Sequence, residues 1–152
     1  MQVLKAVEAV NERQKAVLFD KLNTYFKGEL KGKVVSLLGL AFKPETDDMR
    51  EAPSLVLINK LLQSGCEVQV YDPVAMEECH RRIGNEVIYC NDMYQAVEKS
   101  DAMLLVTEWK EFRMPDWNRI KQQMHIPLVI DGRNIFEAEE LKNKGFDYYR
   151  IG

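Results

Sequence analysis

No run of about 18 apolar residues occurs in the sequence, so nothing in it reads as a membrane-spanning helix. No apolar stretch behind a basic N-terminus suggests a secretion signal either, and the expected compartment is the cytoplasm. Cysteine is scarce. Cys66, Cys79 and Cys90 are an odd number at wide spacings with no C-x-x-C pair, which supports neither a disulfide framework nor a structural zinc site. Histidine is scarcer, with His80 beside Cys79 and His125 alone before an apolar run. Adjacent residues on a helix point apart, so no metal site is expected. Excess positive charge is missing as well: 21 Lys and Arg against 24 Asp and Glu give a formal net charge of -3, with no general pull toward nucleic acid or an anionic membrane. Any anion must therefore be held locally. Neither G-x-G-x-x-G nor G-x-x-x-x-G-K-S/T is present, so the usual backbone cradles for phosphate are absent.

What is present is an ordinary globular composition in strict alternation. At 152 residues with 46% apolar side chains, the chain is long enough for one sizeable core. Met1 to about Lys27 repeats Val3, Val7, Val10, Gln14, Val17, Leu18, Leu22 and Tyr25 at three- and four-residue steps without Gly or Pro, and reads as one long amphipathic helix. Such a helix is longer than one sheet face needs, so something else should pack on it. Gly28 to Gly32 marks the expected boundary, which divides the chain into residues 1–28 and 29–152. From Lys33 onward, β-rich runs at Val34–Leu38, Val68–Tyr71, Val87–Tyr89, Met103–Val106, Leu128–Ile130 and Tyr148–Ile151 alternate with helical patterns. That alternation predicts an α/β domain, a parallel sheet with helices on both faces in a Rossmann-like three-layer arrangement.

In such a sheet, ligands bind outside the carboxyl ends of the strands. The stretch Leu37–Ser54 begins as a strand, breaks at Gly39, and crowds Lys43, Asp47, Asp48, Arg50 and Glu51 ahead of a helix at Pro53. Gly39 permits a conformation or a close approach that a Cβ would block. Pro44 stiffens the segment carrying Lys43, a point charge suited to phosphate or carboxylate, while Arg50 offers a planar fork. Asp47 and Asp48 are candidates to orient those cations or to cap the helix. The bland alternative is a solvated connector. Three further polar loops should share this edge: Asp72-Pro73, Thr107-Glu108-Trp109 and Asp131-Gly132-Arg133-Asn134. Asp72 suits either a ribose-binding acid or a turn; Trp109, Phe112 and Trp117 suit base stacking or the core. Arg133, after Gly132, suits an anionic ligand or an ion pair with Asp131 or Glu137.

The order G-L-A-F-K-P-E-T-D-D-M-R-E-A-P-S, followed by V-Y-D-P, T-E-W-x-E-F and D-G-R-N, resembles the C-terminal domain of the UDP-glucose/GDP-mannose dehydrogenase family, most closely its UDP-glucose branch. The resemblance extends to V-N-E-R-Q in the opening helix, which is similar to the end of that family's central helical, dimer-forming region. It implies an NAD-dependent oxidation of a nucleotide-sugar alcohol to a carboxylate, through a thiol-linked intermediate. By the resemblance, Phe42, Lys43 and Arg133 contact the UDP-sugar, Arg50 reaches an NAD bound mainly by another domain, and a homodimer forms through the N-terminal helix. The family's G-C-F-P-K-D type nucleophile segment and its dinucleotide fingerprint are not in these residues, so no catalytic residue is assigned and the isolated chain is expected to turn over nothing. Left open are another nucleotide-sugar, such as GDP-mannose or UDP-N-acetylmannosamine, and a stand-alone Rossmann-type binding or dimerisation module.

Overall fold

A computed structural model describes residues 16–50 and 52–151. Six parallel strands, β1 (Val34–Leu38), β2 (Glu67–Tyr71), β3 (Ile88–Tyr89), β4 (Ala102–Leu105), β5 (Leu128–Asp131) and β6 (Asp147–Arg150), form one sheet in the order β3-β2-β1-β4-β5-β6. The chain builds outward from β1 through β2 to β3, returns to lay β4 against the other side of β1, and continues to β6. The reversal puts the switch point between β1 and β4, where Leu37 stands opposite Leu104 and Leu38 opposite Leu105.

Period-two alternation on the central strands separates two cores. Val35 and Leu37, Ala102 and Leu104, and Leu128 and Ile130 face one side. There they meet α1 (helical over 16–25), α2 (Pro53–Gln63) and α3 (Met76–Ile83), through Leu18, Leu22, Leu57, Ile58, Leu61 and Cys79. Leu38, Met103, Leu105 and Val129 face the other side, against α4 (Met93–Val97), α5 (Trp117–Gln123) and α6 (Ala138–Asn143). The three-layer expectation is met, and strand limits fall within one residue or so of the sequence runs. Of the long opening helix, residues 1–15 lie outside the described part. Its described portion is helical, with Leu18 and Leu22 built into the sheet's own core.

α2 starts as the sequence implies in one respect and not in another. Pro53 occupies its first turn, where a missing N–H has no consequence, but Ala52 is the N-cap and no side chain caps it, so neither Asp47 nor Asp48 serves there. Within β1, Ser36 is fully buried with no partner for its hydroxyl among the described residues. Burying an unbonded hydroxyl costs about 1–3 kcal/mol. Ser36→Ala should therefore raise the urea midpoint, adding about 1 kcal/mol of stability; a loss of stability would mean that the hydroxyl has a partner after all.

Candidate functional site

The loop after β1 is fixed at its root by buried polar contacts. Gly39 leaves the strand at φ +97°, and its N–H donates to Tyr71 O at 2.9 Å. A Cβ there would lie 2.5 Å from both the Cβ and the backbone N of Thr107 in the loop after β4. Glycine is thus what lets the two loops flanking the switch point touch. Across that contact Thr107 Oγ1 donates to Ala41 O at 2.6 Å, and from α2 Ser54 Oγ donates to Leu40 O at 2.6 Å.

Asp72, at the end of β2, supplies the acceptors for the matching N–H groups. Its Oδ2 receives the amides of Leu40 and Ala41 and the indole N–H of Trp109; its Oδ1 receives the amides of Val74 and Ala75. With five donors on a carboxylate that is 2% exposed, no acceptor capacity is left for a ribose hydroxyl. The turn-forming alternative holds, extended to a junction of three loops. Asp131 repeats the arrangement at the end of β5: Oδ1 accepts from the Arg133 amide, and Oδ2 from the Ile135 and Phe136 amides and the Tyr148 hydroxyl. Burial, then that hydrogen bond, pushes the Tyr148 phenol well above its usual range.

Beyond this fixed root the loop turns outward. Phe42 N–H closes it by donating to Asp48 O at 2.8 Å, and Met49 and Ala52 are buried and hold its far end. Pro44 and Glu45 make the turn between, with Glu45 at φ +68°, which side chains seldom adopt. Lys43 and Phe42 are exposed. Arg50 clasps Asp48 in a two-pronged ion pair, Nε to Oδ1 and Nη2 to Oδ2, each 3.1 Å, with 81% of its side chain exposed. Hydrogen bonding from that guanidinium, and then from the Arg50 amide, lowers the Asp48 carboxyl to about 2. Asp48 therefore orients Arg50.

Arg133 crosses the switch point. Its Nε lies 3.0 Å from Val106 O and 2.9 Å from Glu108 Oε2, and its Nη2 donates to Phe42 O at 3.0 Å. One guanidinium thereby joins the loops after β1, β4 and β5, and brings Arg133 beside the peptide that leads into Lys43. Its ionic partner is Glu108, not Asp131 or Glu137. Gly132 serves the scaffold: a Cβ there would lie 2.5 Å from Leu105 O and 3.0 Å from a Leu18 methyl, so its smallness admits β4 and α1. Glu108 does not stand out as a partner in the sequence, although its place in the loop after the strand next to β5 is a usable signal. Nor does the sequence assign roles to Thr107 and Ser54.

The remaining candidates separate cleanly. Trp109, Phe112 and Trp117 are at most 6% exposed and belong to the second core. Cys66, Cys79 and Cys90 are buried, and burial raises all three thiols, Cys66 to about 11, so none is poised as a thiolate. His80 hydrogen-bonds Asn85, His125 pairs with Asp101, and no cluster of metal-binding side chains occurs among the described residues. No described helix is long and apolar enough to cross a membrane.

Comparison with known proteins matches residues 36–138 to the model of the UDP-glucose/GDP-mannose dehydrogenase family, UDP binding domain. A UDP-glucose 6-dehydrogenase of Pseudomonas aeruginosa is 48% identical over 99% of this chain and 34% of its own length. The UDP-glucose 6-dehydrogenase TuaD of Bacillus subtilis is 42% identical over 99% of this chain and 32% of its own. Among solved structures, a UDP-glucose dehydrogenase from Pyrobaculum islandicum superposes with a TM-score of 0.79 at 32% identity, covering 97% of this chain and 31% of that one. The chain spans about a third of the length of the curated relatives it matches.

Proposed function

Since the chain belongs to the UDP-glucose/GDP-mannose dehydrogenase family and carries its UDP binding domain, we propose that it is the nucleotide-sugar-binding part of an NAD-dependent UDP-glucose 6-dehydrogenase. The full-length protein would oxidise the sugar C6 alcohol to a carboxylate in two hydride transfers through a cysteine-linked intermediate. The observation that supports this reading is the bond from Arg133 Nη2 to Phe42 O, which ties Arg133 to the loop that carries Phe42 and Lys43. In this reading Lys43 attracts the diphosphate, Arg133 offers the N–H groups not engaged by Val106, Glu108 and Phe42, and the exposed Phe42 ring packs against the nucleotide. The identity to UDP-glucose 6-dehydrogenases favours that sugar over GDP-mannose and UDP-N-acetylmannosamine.

NAD itself does not fit this domain in the dinucleotide manner. The first strand-to-helix loop lacks the glycine fingerprint, and the acid at the end of β2 has its acceptors filled by this chain's own donors. The cofactor's main site is therefore assigned to a separate domain. Arg50, held outward by Asp48, reaches toward it. No residue of this chain is given a chemical step. We further assign residues 1–28 to a central helical region that pairs two copies, residues 29–152 to the UDP-sugar-binding domain, and the protein to the cytoplasm.

The test is on the full-length protein. Lys43→Ala should weaken UDP-glucose binding or turnover roughly ten- to hundredfold, as expected for a charge-assisted contact worth about 1.5–3 kcal/mol. Arg133→Lys keeps the charge but loses the fork, and a comparable defect would indicate two-pronged recognition. If calorimetry shows wild-type affinity in both variants, these loops are connectors and the reading fails.

A further inference from the structure

Arg133 does not meet a ligand as a bare cation. Glu108 Oε2 stands 2.9 Å from its Nε, and the two side chains are 22% and 33% exposed, so the pair is partly shielded from water. Glu108 is not needed to hold the guanidinium in place, because two loop carbonyls already do so: Val106 O takes Nε and Phe42 O takes Nη2, each at 3.0 Å. What Glu108 adds that those carbonyls do not is a negative charge at the edge of an anion site. That charge weakens the hold on every anion, and the weakening grows with the ligand's own charge.

We propose that Glu108 sets the charge selectivity of the site, favouring a diphosphate esterified at both ends over a nucleotide with a free terminal phosphate. This rests on the nucleotide-sugar reading above. A sugar diphosphate diester carries one negative charge fewer than the corresponding nucleoside diphosphate near neutral pH, and the two share the same base, ribose and phosphates. Any effect of Glu108 on the orientation of Arg133 acts on both ligands alike and cancels in the ratio of their affinities. Its charge does not cancel. A site with Lys43 and Arg133 unopposed would retain the more highly charged nucleotide; with Glu108 in place, the surplus charge is penalised.

The experiment measures dissociation constants for UDP and UDP-glucose by calorimetry in the full-length protein at low ionic strength. Glu108→Gln keeps the size and shape of the side chain and removes the charge, while the Nε N–H still donates to Val106 O. It should tighten UDP relative to UDP-glucose, lowering the ratio of the two constants roughly three- to tenfold, with the change shrinking as salt is raised. Glu108→Ala removes the same charge with a different change of shape, and should move the ratio the same way. Glu111→Gln is the control, because Glu111 accepts from the Tyr71 hydroxyl and does not pair with Arg133; its ratio should stay at the wild-type value. A ratio unmoved by either Glu108 variant, with both ligands still bound, overturns the inference and leaves the nucleotide-sugar reading intact. Wild-type protein that binds neither ligand overturns both.

Discussion

Gly39→Ala is expected to remove about 3–5 kcal/mol of stability, a large share of the margin of a small domain. Two independent penalties add. The backbone stands at φ +97°, where a side chain is strained, and the new Cβ would lie 2.5 Å from the amide N and Cβ of Thr107. Neither atom belongs to a flexible chain end, so relief requires β1 and β4 to part at their carboxyl ends. That movement would also break the 2.6 Å bond from Thr107 Oγ1 to Ala41 O. Urea unfolding followed by circular dichroism should show a much lower midpoint or no folded baseline at all. A loss below about 1 kcal/mol would show that the two loops separate easily here and that the close approach is incidental.

Asp72→Asn should be nearly as damaging for a different reason. The carboxylate accepts five hydrogen bonds through two oxygens. An amide of the same shape has one oxygen and turns an NH2 group toward donors, whichever way it is flipped. At least two N–H groups, one or more of them buried, then lose their acceptor, which predicts a loss of about 2–4 kcal/mol. The defect should also be local in a way that of Gly39→Ala is not: by hydrogen exchange, the amides of Leu40 and Ala41, or those of Val74 and Ala75, should lose protection before the strands do. Unchanged exchange at all four would falsify the assignment of Asp72 as the junction of these loops.

How far the fold can be read from the sequence depends on the range of the interactions. Strand limits come from period-two patterning and from turn residues a few positions away, so Val34–Leu38 is read to the residue. Both faces of β1, β4 and β5 are apolar, which is why their runs are continuous and imply a sheet covered on both sides. Lys43 and Arg133 are legible as candidates because each follows a strand end, and Phe42 through the family resemblance. Their connection is not, since it depends on which strands become neighbours. Arg133 finds Glu108, 25 positions away, because β4 lies beside β5. The acids nearer in sequence have other geometry: Asp131 is turned inward to the amides of its own loop and to Tyr148. Gly132 reads as room for a ligand, yet the space is taken by Leu105 O and by Leu18 from a helix more than a hundred positions earlier.

The two buried aspartates have a consequence for how such a site can change over generations. Asp72 and Asp131 together take up the amides of Leu40, Ala41, Val74, Ala75, Arg133, Ile135 and Phe136, turning the main chain of the rim inward. Those seven amides are no longer available to an anion. In the proposed reading the framework and the ligand-contacting side chains are separate parts, so single codon changes at positions 42, 43, 108 and 133 would alter what is held while the two acids keep the loops in place. A domain built this way would let the ligand change without redesign of its backbone.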